Sequence, residues 1–225
     1  MNIIAIDTAA EKFSTALAKE NDTWLMEVSA GMRHSELIMD CIDALMKKAE
    51  LRPEDLSAVV CMGGPGSFTG LRIGFALAKG LAISLNIPFA PLPTLDCIAW
   101  PFSSWPGIVI PVIDAKKSAF FCAMYSGGKK LCQDMDVSAI EILSNEKLVM
   151  SNEKLLFVGP GTELLHERLS ELSEPIPANI IFGKDLRYGN AETLLKMAKN
   201  NPDIFADSEK NLMSGPEYIR KSISN

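Results

Sequence analysis

The chain has 225 residues, of which 48% are apolar and 22% charged, with a formal net charge of −6. Such an apolar share supplies a sizeable core and excludes a disordered chain, and the length fits one large domain or two small ones. The acidic balance argues against broad electrostatic binding of nucleic acid or an anionic membrane, while leaving room for nucleic-acid chemistry within a complex.

Residues 2–7 form a short apolar run and read as a buried strand. Residues 12–19 and 23–29 read as two more strands, joined by an Asn21-Asp22 turn. From Leu37 the apolar residues recur in pairs: Leu37 and Ile38, Cys41 and Ile42, Leu45 and Met46, then Ala49. This is helical periodicity, and Pro53 ends it. Residues 57–62 read as a buried strand that feeds a glycine-rich turn, and a helix follows over 71–85. Residues 87–92 read as a strand and 94–100 as a short helix. The Pro, Ser and Gly of residues 101–107 mark a boundary between two lobes, 1–102 and 107–225.

The second half begins in the same way. Residues 107–114 form an apolar strand ending in aspartate, and 118–125 and 129–136 read as two more strands around a Ser126-Gly127-Gly128 turn. Residues 138–143 read as a helix. A strand over 155–158 then runs into Gly159-Pro160-Gly161 and a helix over 162–172. A last helix is expected near 206–220, packing back on the first lobe. Asp7 and Asp114 lie 107 positions apart, and the Gly64 and Gly159 turns 95 apart, in the same order. The pattern reads as an internal duplication: two α/β lobes with mixed sheets and a cleft between them.

The most unusual segment is Gly63-Gly64-Pro65-Gly66-Ser67-Phe68-Thr69-Gly70. Its glycines allow positive φ and close backbone approach, and Ser67 and Thr69 can cap the helix that follows. It lacks the Gly-Lys-Ser/Thr of a Walker loop and the Gly-x-Ser-x-Gly of a nucleophile elbow. Two readings stand, a tight capped turn or a phosphate cradle at a helix N-terminus. In the second, Asp7, Thr8, Gly64, Gly66, Ser67, Thr69 and Asp114 are the candidate nucleotide or phosphate residues, with the aspartates facing the cleft.

Two helix faces are candidates for a partner. Gly66, Gly70, Gly74, Ala78 and Ala82 repeat every four residues and allow close approach of another element. The residues from Leu37 to Ala49 spread over roughly 180°, where about 100° suffices for a surface helix. The candidate interface is His34, Leu37, Ile38, Cys41, Ile42, Leu45, Gly70, Gly74 and Ala78. Deep burial of both helices within the core explains the same pattern.

The cysteines, Cys41, Cys61, Cys97, Cys122 and Cys132, contain no CxxC pair, and their odd number fits free thiols in a reducing compartment. His34 and His166 are too few and too distant for a histidine-rich metal site, and no metal is expected. Residues 71–85 carry Arg72, Lys79 and Gly80 and fall short of the ~20 apolar residues that span a bilayer. With no secretory signal at Met1, a cytoplasmic protein without membrane attachment is expected.

Several of these segments resemble a known family. Ile3-Ile4-Ala5-Ile6-Asp7-Thr8, His34-Ser35-Glu36 and Gly64-Pro65-Gly66-Ser67-Phe68-Thr69-Gly70-Leu71-Arg72-Ile73-Gly74 are similar to the bacterial TsaB (YeaZ) family. Asp114-Ala115-Lys116 looks like its Asp-Ala-Arg motif with lysine for arginine, and Pro216-Glu217-Tyr218-Ile219-Arg220 resembles its C-terminal Pro-x-Tyr-Leu-Arg. The resemblance implies the duplicated actin-like, Hsp70-like ATPase fold. It also implies a non-catalytic subunit that activates a catalytic paralogue, TsaD, together with a TsaE-like ATPase. The complex threonylcarbamoylates adenosine 37 of tRNA. This chain would meet tRNA only through the complex, and ATP would be used by the complex rather than turned over here. A homodimer could use the TsaD-binding face. TsaD carries a His-x-x-x-His metal pair, and the matching positions here, Thr94 and Ile98, cannot ligate a metal. The alternatives are an autonomous actin-fold ATPase or phosphotransferase using Asp7, Asp114 and the glycine loop, and a metallopeptidase.

Overall fold

The computed structural model describes residues 1–10, 12–29, 34–144, 153–172, 175–183 and 191–219. They form two compact units, one of Met1–Cys97 with Arg187–Glu217, the other centred on Ile98–Leu186.

The first unit is built on a five-stranded sheet. Its strands are β1 (Ile3–Asp7), β2 (Phe13–Lys19), β3 (Asp22–Val28), β4 (Ala58–Gly64) and β5 (Phe89–Pro93), in the order β3-β2-β1-β4-β5. β1 runs antiparallel to β2 and parallel to β4. β1 and β4 are buried along their whole length, which explains their uninterrupted apolar runs. Their alternation still directs the packing. Ile4 and Ile6 point into one core with helices α1 (His34–Lys48) and α2 (Phe68–Leu85), whereas Ile3 and Ala5 point into another on the opposite face.

That opposite face is closed by α6 (Ala191–Asn200), through Ala191, Leu194, Leu195 and Ala198. This helix was not expected from the sequence. The expected last helix is instead short, α7 (Ser208–Met213), and is followed by extended chain. Arg220, where the expected helix ends, lies outside the described residues. Residues 191–205, expected in the second lobe, group with the first unit, together with the segment 206–217.

α2 starts at Phe68, earlier than expected, because Ser67 caps it by accepting the Gly70 N–H at 3.2 Å. Asn86, with φ 53°, ends it in the left-handed conformation. By length and composition α2 could cross a membrane. Its Gly70, Leu71, Gly74, Phe75, Ala78 and Ala82 are nonetheless buried in the unit.

The second unit repeats the plan. Its main strands are β6 (Ile108–Lys116), β7 (Ala119–Cys122), β10 (Met135–Ser138), β11 (Leu155–Val158) and β12 (Ile180–Phe182). Their order is β10-β7-β6-β11-β12, the first unit's order strand for strand. Helices α4 (Ala139–Leu143) and α5 (Thr162–Ser170) pack on this sheet. A short helix, α3 (Thr94–Ala99), joins the two halves of the chain. The expected strands 118–125 and 129–136 are each interrupted. Their inner ends form a small hairpin, β8 (Tyr125–Ser126) with β9 (Lys129–Lys130), which leaves the β7–β10 pairing and joins β6.

Candidate functional site

In the first unit the structure gathers Asp7, Thr8, Gly66, Ser67, Gly70 and Gly74 where β1 ends and α2 begins. Asp7 and Thr8 are buried. Asp7 Oδ1 accepts the Ala9 N–H at 2.9 Å, forming a tight turn at the strand's end. Thr8 Oγ1 donates to the Gly70 carbonyl at 2.7 Å, and the Ser67 N–H donates to the Ala9 carbonyl at 2.7 Å. The start of α2 is thus stitched to the end of β1.

The small-residue stripe has its explanation here. A Cβ on Gly70 would overlap the Thr8 carbonyl oxygen, and one on Gly74 would overlap Thr8 Oγ1. A Cβ on Gly66 would stand 2.7 Å from the Ala9 carbonyl oxygen. Together with buried Ala78, the stripe serves close approach to the unit's own strand. The expectation that Gly70, Gly74 and Ala78 meet a partner is corrected accordingly.

Part of the glycine turn is engaged by the chain itself. The Gly64 N–H donates to Thr94 Oγ1 at 3.2 Å, and the Ser67 and Gly70 N–H groups are engaged as described. The Gly63 carbonyl accepts the Glu217 N–H at 2.8 Å. Gly64 has φ +113°, and a Cβ there would overlap the Glu217 carbonyl oxygen. The chain's own backbone thus occupies the space over Gly63–Gly64. No step through a bound nucleotide is derived for this half of the candidate site. Thr69 is exposed on the first turn of α2.

Asp114 belongs to the second unit. Its Oδ1 accepts the Lys116 N–H at 2.7 Å, and its Oδ2 takes the Lys116 Nζ at 2.6 Å. It closes a hairpin in which Lys116, Lys117 and Ser118 all have positive φ. Among the described residues no group of three or more His, Cys, Asp or Glu side chains is placed to hold a metal ion. Thr94 is buried and bonded to Gly64, and Ile98 is buried. Burial above all pushes the Cys61 thiol far up, against the opposing Lys79 charge and with Asp7 adding to it. Cys97 is raised by burial first, then by Asp7 and Asp96. Neither thiol is a nucleophile at neutral pH.

The wide α1 face is also covered from within. Ile38, Cys41, Ile42, Leu45 and Met46 are buried between the sheet and α2, and Leu37 is half-buried against the same core. A 180° arc here means burial on two sides, so Ile38, Cys41, Ile42 and Leu45 are not a free partner surface. His34 is the first residue of α1, and its side chain lies outside the described part. What remains outward is a different set, which the sequence reading missed. On α2 it includes Phe68, Arg72, Ala76, Gly80 and Ile83, with Ile73 and Leu77 half-buried beside them. On α1 it includes Met39. The Arg72 guanidinium lies 3.8 Å from the Phe68 ring centroid, a cation–π contact on the first turns of α2.

Two α/β units of identical strand order, each carrying an aspartate at the end of its first strand and a Gly-Pro-Gly turn, define an actin-like protein. A family model described as "TsaD: tRNA N6-adenosine threonylcarbamoyltransferase" matches residues 28–213. The chain is 34% identical over 176 residues to the "tRNA threonylcarbamoyladenosine biosynthesis protein TsaB" of Bacillus subtilis, covering 76% of each protein. It is 26% identical to the protein of the same name from Buchnera aphidicola, over 92% of this chain and 95% of that one. Among solved structures, YeaZ from Pseudomonas aeruginosa superposes with a TM-score of 0.76 at 21% identity, covering 97% of this chain and 99% of the other. The chain belongs to the TsaB (YeaZ) family and shares with TsaD the stretch over which that family model runs.

Proposed function

We propose that this chain is a non-catalytic subunit of the machinery that makes threonylcarbamoyl-adenosine in tRNA, and that it acts by binding a TsaD-like catalytic subunit. Its part in that biosynthesis follows from its family. The scaffold role is supported above all by the candidate cradle, in which the Gly64, Ser67 and Gly70 amides and the space over Gly64 are taken up by the chain itself. Thr94, bonded to Gly64, and buried Ile98 stand where the paralogue's metal pair is expected. A TsaE-like ATPase completes the assembly, tRNA is met through the complex, and ATP is consumed elsewhere in it.

The partner surface on this reading is the outer side of α2. Ile83 is 65% exposed and Phe68 47%, and they flank Ala76 and Gly80. An apolar row with small residues at its centre suits a helix pair packing at close range. The same face serves a homodimer when the catalytic subunit is absent. The test is Ala76→Glu and Ile83→Glu, made singly, because each adds a charge that a partner must desolvate. Each variant keeps the wild-type circular dichroism and melting temperature but loses co-purification with the TsaD-like subunit and tRNA modification in the reconstituted system. A folded variant that binds with unchanged affinity removes this face from the interface.

A further inference from the structure

Residues 208–217 lie along the first unit as a continuous band. α7 sits against the open edge of β5. Ser208 Oγ accepts the Phe89 N–H at 2.8 Å, and Asn211 Nδ2 donates to the Phe89 carbonyl at 3.1 Å. Two side chains thereby fill the backbone positions that one more strand would fill. Further on, Lys79 Nζ of α2 donates to the Ser214 carbonyl. The band ends over the glycine turn, where the Glu217 N–H meets the Gly63 carbonyl at 2.8 Å. The Glu217 carbonyl fills the space that any side chain on Gly64 would need.

The band is held to the core largely by polar contacts. α7 has six residues, too few to persist alone. Met213 is 89% exposed, and Leu212 is half-buried against the apolar core. The other attachments named are polar, and segments so held open locally long before a core strand does.

We propose that residues 208–217 are a detachable intramolecular clamp. Docked, the clamp closes the β5 edge and the glycine turn together; undocked, it opens both together. The Gly63–Gly64 turn is then the receptor for the chain's own C-terminal segment, and a phosphate-bearing ligand is shut out of it while the clamp is docked. Neither the clamp nor its release requires the α2 partner face.

The experiment is residue-resolved amide hydrogen exchange on the full chain and on the double variant Ser208→Ala/Asn211→Ala, which alters only the contacts at β5. Exchange of the Phe89 and Glu217 amides rises together, about tenfold or more, with the amides of residues 62–70 following and the β1 amides of Ile4 and Ile6 unchanged. Lys79→Met, which loosens the middle of the band, gives the same paired rise. If Phe89 accelerates in the double variant while Glu217 stays slow, the contacts are independent and there is no clamp. Should the double variant lose protection at Ile4 and Ile6, the Lys79→Met pairing decides by the same criterion. ATP added to the full chain leaves the turn amides unchanged. Slowing of those amides with Glu217 still protected shows that ligand and band coexist, and overturns the proposal.

Discussion

Glycine has opposite uses along α2, and substitution separates them. Gly70 and Gly74 exist so that the helix can touch Thr8, whereas nothing stands within 4 Å of a Cβ on Gly80. Gly70→Ala forces helix and strand apart and lowers stability by ~1–3 kcal/mol. Gly80→Ala, in an exposed helix interior, raises it by ~0.5–1 kcal/mol. Urea midpoints of the two variants read the difference, and equal signs contradict the packing account. The cysteines titrate with a definite sign as well. Burial, with Cys132, Asp134 and Asp136 adding, pushes the Cys122 thiol up to about 12 from its ordinary 9.0, and burial raises Cys61 and Cys97 too. Raised folded values mean that the stability these thiols contribute is complete below the unfolded value. It is lost as pH rises from about 9 toward the folded values, because only the unfolded chain can then ionise them. The urea midpoint should fall between about pH 8 and 10.5, and fall less in Cys122→Ala. Under native conditions Cys132, the one cysteine not buried, should take iodoacetamide first, with the site read by peptide mass.

At the scale of elements, α6 supplies most of a layer of the first unit, with Ile204 and Phe205 packed beside it. Ala191, Leu194, Leu195 and Ala198 repeat at helical spacing and seal the sheet face opposite α1 and α2. Leu194→Ala should cost ~2–5 kcal/mol, seen as a lower urea midpoint, because a fully buried leucine there leaves a cavity against β1. The buried strands and both long helices of the first unit were legible because period and composition are local properties. The α6 spacing, Ala191, Leu194, Leu195 and Ala198, is equally local. β12, at three residues, is too short to show a period. The site was legible only in part. The Gly63–Gly70 turn announces itself, but what fills it comes from Glu217, far along the chain, and no local pattern encodes such a contact. The outward face of α2 is hidden from the sequence for a related reason. The stripe Gly70, Gly74, Ala78 is conspicuous in sequence, and whether it faces strand or solvent depends on where Thr8 lies.

Across the whole molecule, duplication preserved the architecture and filled both of its glycine turns. In the first unit the Glu217 segment covers Gly63–Gly64. In the second, a Cβ on Gly159 would stand 2.9 Å from the Val112 carbonyl oxygen, and one on Gly161 2.9 Å from the Asp114 nitrogen, so this turn packs tightly on β6. Thr94 Oγ1 is already spent on the Gly64 N–H, and Ile98 is buried against Gly159. Threonine is a poor zinc or iron ligand and isoleucine none. On the proposed scaffold reading, Thr94 and Ile98 supply no metal ligand and the chain acts by positioning another protein. The purified chain, incubated with tRNA and threonylcarbamoyl adenylate, should therefore leave the tRNA unmodified, as read by nucleoside mass spectrometry. Adding the TsaD-like and TsaE-like subunits with ATP should restore modification, and omitting this chain from the full set should abolish it. Elemental analysis of the chain alone should find iron and zinc well below one per molecule. About one metal per chain, with modification by the isolated protein that is lost on chelation, would assign the catalysis to this subunit and overturn the scaffold reading.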